Sequence, residues 1–300
     1  MLLRIWLCWI LVWTGCQSPD TPPHATTDPF DWQGHRGARG LLPENTIPAF
    51  LKALELGMTT LELDLAVSAD SQLIVSHEPW LSPKICRKAD GTPLSPPDTA
   101  WNIYHMPADA LRQFDCGSWG HPDFPEQQAM AAHKPTLDAV VSAVRQWCHT
   151  HNKPLPRFNI EIKSRPEWDG HFTPPPKVFV HLVLQVLERL SLLQHSNIQS
   201  FDPRVLRHVR TMAPQLPLAF LIDSAGTVAQ QLDRLGFIPE IYSPYYRLVT
   251  AHTVKACHER GMKIIPWTVN DPDQMCVLIQ LGVDGLITDY PNRAAQLSCR

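Results

Sequence analysis

The sequence predicts an α/β fold, a TIM-type (β/α)8 barrel with a β-hairpin and a loop-rich insertion after the second barrel strand. Three observations carry that prediction. Eight short β-rich runs recur along the chain, helical patterns lie between most of them, and 300 residues suffice for one barrel without division into two domains. Continuous apolar strands joined by crossover helices make a parallel sheet, and eight such units close it.

The strands are expected at 32–35, 60–66, 158–163, 197–201, 218–222, 240–243, 263–269 and 285–288. Helical spacing marks 48–56, 178–193, 203–212, 228–235 and 250–260. The run 73–77 also reads as a strand, yet only residues 68–71 separate it from the strand before. So short a link excludes a parallel crossover and makes the pair an antiparallel hairpin. With the turn centred on Ala69 and Asp70, His77 would lie opposite Glu62, near the C-terminal face where barrel active sites sit.

Composition narrows the function. Apolar residues at 44% and charged residues at 18% fit a soluble globular domain rather than a disordered or polytopic chain. A net charge of -3 supplies no broad basic surface, which argues against a nucleic-acid partner.

Residues 1–16 carry one arginine and then an apolar run too short to span a bilayer but long enough for a signal-peptide core. Gly15-Cys16 resembles a bacterial lipoprotein cleavage site, so Cys16 would become the lipidated first residue, and the membrane would be reached by that anchor alone. Residues 17–29 are polar and proline-rich, as a tether would be. The expected organisation is a leader over 1–16, a linker over 17–29, and a catalytic barrel over 30–300 with an insertion at 78–135. The expected location is the cell envelope. Six further cysteines contain no CxxC pair, which argues against structural zinc. An exported chain permits disulfides, and Cys86 with Cys116 is the favoured pair because both lie in one loop-rich segment.

Glu62 and Asp64 alternate with Leu61, Leu63 and Leu65, so the two carboxylates share one strand face. On a barrel strand that face points inward. Two buried carboxylates repel and lose hydration, a cost that a bound cation offsets, and oxygen ligands favour Mg²⁺ or Ca²⁺. A solvated pair at a frayed strand end would show the same alternation. Glu161 alternates with Ile160 and Ile162, and Lys163 faces the same way; a metal with an anionic substrate, or a plain Glu-Lys contact, would account for them. His35 and Arg36 end the first strand. There an imidazole can relay protons while a guanidinium grips phosphate.

The blocks GHRG, PENT, ELDL, SHEP, NIEIK, QSF, PWTVN and GLITDYP, in this order from Gly34 to Pro291, resemble the glycerophosphodiester phosphodiesterase family. The resemblance implies a TIM barrel that hydrolyses small-molecule glycerophosphodiesters to sn-glycerol 3-phosphate and an alcohol, with a divalent cation. It implies that His35 and His77 form the acid/base pair and that Glu62, Asp64 and Glu161 bind the metal. Arg36 and Lys163 would hold phosphate oxygens, Trp267 would wall the pocket, and Glu44 and Asn45 would brace the site. Glu78 stands where the family usually has aspartate after the histidine. The aromatics of the insertion, Trp80, Trp101, Tyr104 and Trp119, would either shape a pocket or pack the insertion, with packing favoured.

Two alternatives remain beside this reading. A phospholipase D-like or phosphoinositide-specific enzyme could use a similar two-histidine site on the same barrel. A noncatalytic envelope protein could capture a phosphorylated ligand, although binding alone does not require two proton carriers.

Overall fold

The computed structural model describes residues 29–299. Its strands are β1 (Asp31–Gly34), β2 (Thr60–Val67), β3 (Leu73–Val75), β4 (Arg87–Lys88), β5 (Phe114–Asp115), β6 (Arg157–Ile162), β7 (Ser196–Ser200), β8 (Leu218–Ile222), β9 (Ile241–Pro244), β10 (Lys263–Ile264) and β11 (Gly285–Thr288). Its α-helices are α1 (Ile47–Glu55), α2 (Ala108–Leu111), α3 (Leu137–Thr150), α4 (Pro176–Arg189), α5 (Pro203–Met212), α6 (Val228–Leu235), α7 (Ala251–His258), α8 (Pro272–Gln280) and α9 (Pro291–Ala295).

The sheet runs β10-β9-β8-β7-β6-β2-β1-β11, all parallel, and β3 adds to β2 antiparallel. Backbone hydrogen bonds from Asp284 to Ile264 and from Ile287 to Pro266 draw the two ends together into the expected barrel. β10 is shorter than the run 263–269 predicted, because Pro266 has no N–H to give a ladder. Helix starts follow local chemistry. Asp202 and Asp271 each cap a first turn whose next residue is proline, already set at a helical φ.

Leu61, Leu63 and Leu65 of β2 and Phe158, Ile160 and Ile162 of β6 are fully buried in the layer between strands and helices. Their alternation turns the intervening residues into the barrel lumen, which divides in two. Glu62, Asp64, Asn159, Asn197 and Gln199 fill one side, whereas Ala219, Ile241, Ile265 and Ile287 form an apolar cluster on the other.

The hairpin exists, but its register differs from the expectation by one residue. Leu65 pairs with Val75 and Val67 with Leu73, which carries the ladder toward Leu63, not Glu62, opposite His77. The cause lies in the turn. Ser71 adopts a left-handed φ of 60°, and the Ser68 amide bonds the Gln72 carbonyl at 3.0 Å, so the loop is one residue longer than a turn on Ala69 and Asp70. β3 ends at Val75, and His77 follows it outside the ladder.

Between β3 and α3 the chain forms a separate apolar cluster around Leu81, Ile85, Leu94, Ile103 and Leu111 on the outer side of the hairpin. Cys86 and Cys116 are joined there as a disulfide, the favoured pairing. A second disulfide, Cys276–Cys299, was not anticipated; Cys148 and Cys257 are buried thiols. No helix among the described residues is long and apolar enough to cross a membrane. The leader, Cys16 and nearly all of the linker lie outside the described residues.

Candidate active site

The turn after β1 is shaped by its backbone. Arg36 takes φ 50° and Gly37 φ 83°, and a Cβ at Gly37 would come within 2.6 Å of the Ala49 carbonyl carbon in α1, so only glycine fits. This tight turn aims the Arg36 amide at Glu62 Oε2 (2.8 Å) and its guanidinium at Glu44, with Nη1 3.0 and 3.1 Å from the two carboxylate oxygens. Arg39 Nε makes a second contact to Glu44, at 2.6 Å. The Asn45 side chain donates to Asp64 Oδ2 at 2.9 Å.

Adjacent strands bring the three acidic residues together, since β2 and β6 align Asp64 with Glu161. One carboxylate oxygen from each of Glu62, Asp64 and Glu161 lies within 4.8 Å of the others. Lys163 Nζ lies 2.9 Å from Glu161 and 3.1 Å from Asp64. Asp64 Oδ1 is buried and faces the Lys163 ammonium at that 3.1 Å. An all-oxygen set of three converging carboxylates fits a hard divalent cation and does not suit zinc.

Protonation follows from this crowding. Burial, then the Asp64 charge, pushes Glu62 well above the usual carboxylate range. Burial and Asp64 also raise Glu161, to about 7, even against Lys163. Burial acts the same way on Asp64, but Lys163, His77 and Arg36 outweigh it and hold that residue well below the usual range. Without a cation the cluster therefore takes up protons.

Each histidine is fixed by a carboxylate at Nδ1. His35 Nδ1 is 2.6 Å from Asp289 Oδ1, and Asn270 donates to the other Asp289 oxygen at 2.7 Å. His77 Nδ1 is 2.7 Å from Glu78 Oε1, so the glutamate reaches the contact despite its extra methylene. A carboxylate at Nδ1 keeps the proton on that atom and leaves Nε2 as the reactive one. His35 Nε2 sits 4.0 Å from Glu62. Burial lowers His35 more than Asp289 raises it. Burial, with Lys163 and Arg36, lowers His77 to about 4. Both rings are thus neutral at pH 7.

His35, Arg36, Glu62, His77, Glu161 and Lys163 line one cavity of about 1030 Å³, and Trp267 forms part of its wall. Trp267 is held by its indole N–H on the Ser243 carbonyl at 2.9 Å and by Phe201 at 5.4 Å. Trp80 belongs to this cavity as well, whereas Trp101 packs on Phe114 and Trp119 lies exposed beneath Arg87.

Three contributors went unassigned in the sequence reading. Asp289 and Asn270 hold His35, and Gln199 donates to Glu62 Oε1 at 2.7 Å. Gln199 accepts in turn from Asn159, which also binds Gln33 and Asn197, so an amide network underlies the carboxylates. Asn197 and Gln199 alternate with buried Ile198, the inward pattern that marked Glu62 and Asp64.

Reactive side chains gathered at the C-terminal rim of eight parallel strands define a barrel enzyme, here a phosphoric-diester hydrolase. The chain belongs to the glycerophosphoryl diester phosphodiesterase family, whose profile matches residues 35–293. It is 28% identical over 265 residues to a glycerophosphodiester phosphodiesterase of Caldanaerobacter subterraneus subsp. tengcongensis, a match covering 88% of this chain and 95% of that protein. A glycerophosphodiester phosphodiesterase of Bacillus subtilis is also 28% identical, over 86% of this chain and 83% of its own length. A crystal structure of a Silicibacter pomeroyi protein superposes with a TM-score of 0.78 at 28% identity, covering 89% of this chain and 92% of that one. An Oleispira antarctica phosphodiesterase, solved with its product sn-glycerol-3-phosphate, shares the fold at a TM-score of 0.67 and 21% identity, over 88% and 96% of the two chains.

Proposed function

We propose that the protein hydrolyses glycerophosphodiesters to sn-glycerol 3-phosphate and an alcohol, by acid/base catalysis between His35 and His77. The observation that carries this reading is the pair of imidazoles facing one cavity, each with Nδ1 on its own carboxylate. A pure binding protein has no need of two oriented proton carriers, which sets the envelope-binder alternative aside.

Glu62, Asp64 and Glu161 would hold a divalent cation, Mg²⁺ or Ca²⁺, whose chemistry when bound is Lewis-acid polarisation of a nonbridging phosphate oxygen. Lys163 and Arg36 would pair with the phosphate charge. Arg36 is kept straight for this by Glu44, and Asn45 steadies Asp64. One imidazole, unprotonated at Nε2, takes the proton of the attacking water, or of a substrate 2-hydroxyl whose cyclic phosphate a water then opens. The other, protonated at Nε2 when the anionic diester binds, gives that proton to the leaving alkoxide as the P–O bond breaks, so no free alkoxide is released.

The organisation that accompanies this function is a leader over 1–16, a tether over 17–29 and a catalytic unit over 30–300 with its insertion at 78–135. Lipidation at Cys16 would hold the enzyme at the envelope membrane. The Cys86–Cys116 and Cys276–Cys299 disulfides support an oxidising, exported location. Replacing Cys16 by serine is expected to release the protein from the membrane fraction; retention there would overturn the anchor.

The function is tested by release of glycerol 3-phosphate from glycerophosphocholine and glycerophosphoethanolamine with Mg²⁺, with Ca²⁺ and with chelator. Cation-dependent release that His77→Ala abolishes is the expected result. Absence of release with either cation would overturn it.

A further inference from the structure

The cavity continues past the carboxylates to an outer wall that the reaction above leaves unused. Trp80 of the insertion meets Trp168 edge to face at 5.8 Å and Phe172 at 5.5 Å. Trp168 and Phe172 belong to the loop between β6 and α4. Asn102 of the insertion donates to the His171 carbonyl of that loop at 2.7 Å, so the two segments hold each other in place. Trp80 and Trp168 both line the cavity.

An aromatic wall of this kind attracts a quaternary ammonium through its ring faces. Here one face is already taken by a cation of the chain itself. The Arg165 guanidinium lies 4.7 Å from the Trp168 ring centroid, is exposed, and lines the same cavity. A trimethylammonium brought to Trp168 would meet a like charge.

The neighbouring charges reinforce this asymmetry. Arg204 is committed to Asp169 and Asp202. Arg165 has no carboxylate partner among the described residues, and neither do Arg207 and Arg234, which line the same cavity. Arg207 donates to the carbonyls of Leu235 and Arg234, and Arg234 to the side chain of Gln231, all neutral acceptors. Asp223 also lines the cavity, one negative charge against these three positive ones. At about 1030 Å³ the cavity lies at the large end of small-ligand sites, with room for a substituent that reaches this wall.

We propose that Arg165 determines specificity: together with Arg207 and Arg234 it makes the cleft prefer glycerophosphodiesters whose alcohol bears a further anionic group over those whose alcohol is cationic. The proposal rests on the phosphodiesterase reading above and concerns the leaving alcohol alone. A phosphate or carboxylate on that alcohol would pair with the planar Arg165 fork, which stays stacked on Trp168.

The test compares kcat/KM of the full chain, with Mg²⁺ or Ca²⁺, on three diesters sharing the same glycerophosphate half. These are glycerophosphocholine, glycerophosphoinositol and glycerophosphoinositol 4-phosphate, whose alcohols are cationic, neutral and anionic. The expected order is anionic, then neutral, then cationic, with about tenfold between the extremes at low salt and a smaller ratio as salt screens it. Arg165→Gln is expected to cut the anionic-to-cationic ratio about fivefold, the scale of one screened charge pair. Most of that change should fall in KM, while Arg165→Lys keeps part of the preference. A preference for the choline diester would overturn the proposal, as would a ratio unmoved by Arg165→Gln in an enzyme that still turns over all three. Inactivity on all three substrates would instead overturn the phosphodiesterase reading beneath it.

Discussion

Asp289 Oδ1 lies 2.6 Å from His35 Nδ1, a contact that joins residues 254 apart in the chain. It closes the last barrel strand onto the first and sets the proton position on the imidazole in the same stroke. Asp289→Asn preserves the shape but offers an amide where a carboxylate held the N–H. Turnover is expected to fall about 10²-fold or more with the circular dichroism unchanged. Turnover near that of the unaltered enzyme would remove Asp289 from the mechanism.

Glu78 performs for His77 the task that Asp289 performs for His35. His77→Ala should therefore lower kcat by about 10² or more, as should His35→Ala, with Glu78→Ala costing less because the ring survives. Glu78→Asp shortens the reach by one methylene and is expected to retain most activity if the loop after β3 can follow. Steady-state kinetics on one diester rank the four variants.

Cation binding must displace protons. Glu161 is raised to about 7 by burial and by Asp64, so below that pH it carries a proton that competes with the cation. Affinity is expected to rise with pH by about tenfold per unit or more below 7, since Glu62 is raised as well, with protons released on binding. The folded-state pKa is raised, so without cation this group costs stability as pH climbs from the ordinary carboxylate range through about 7. Calorimetry at pH 6 and 8 in buffers of different ionisation heat measures both. Glu62→Gln should weaken binding, and an affinity independent of pH would contradict the whole scheme.

Burial pushes the Cys257 thiol up to about 12, and its side chain is inaccessible. A thiol reagent at pH 8 should leave Cys257 unmodified in the native protein and label it after denaturation, as peptide mass mapping would show. Ready labelling of the native protein would mean that the layer between β9 and α7 opens.

Much of this site was legible in the sequence because it lies on strands, where alternation tells inside from outside. Glu62, Asp64 and Glu161 stood out as carboxylates between buried aliphatic residues, and the structure brings them together. Asp289 and Asn270 gave no comparable sign. They sit beyond or between strands, and their partner is far along the chain, so no local spacing connects them to His35. Gln199 did alternate with Ile198, but a neutral amide inside a barrel draws less notice than a charge. The hairpin was readable as a hairpin; its register depended on the left-handed Ser71, a conformation serine rarely takes. β10 was overextended because the apolar run around Pro266 looks continuous until the missing N–H is counted.

The loop over residues 68–72 has a consequence for how this chain can vary. Surface hairpin loops ordinarily absorb insertions and deletions at small cost. This one measures out the distance between the acidic strand and the segment that bears His77. Removing a single codon there would advance every later side chain by one place along β3, exchanging inner for outer, and would offer the cavity a different residue in place of the imidazole. Its length is therefore inherited with the chemistry, though no atom of the loop lines the cavity.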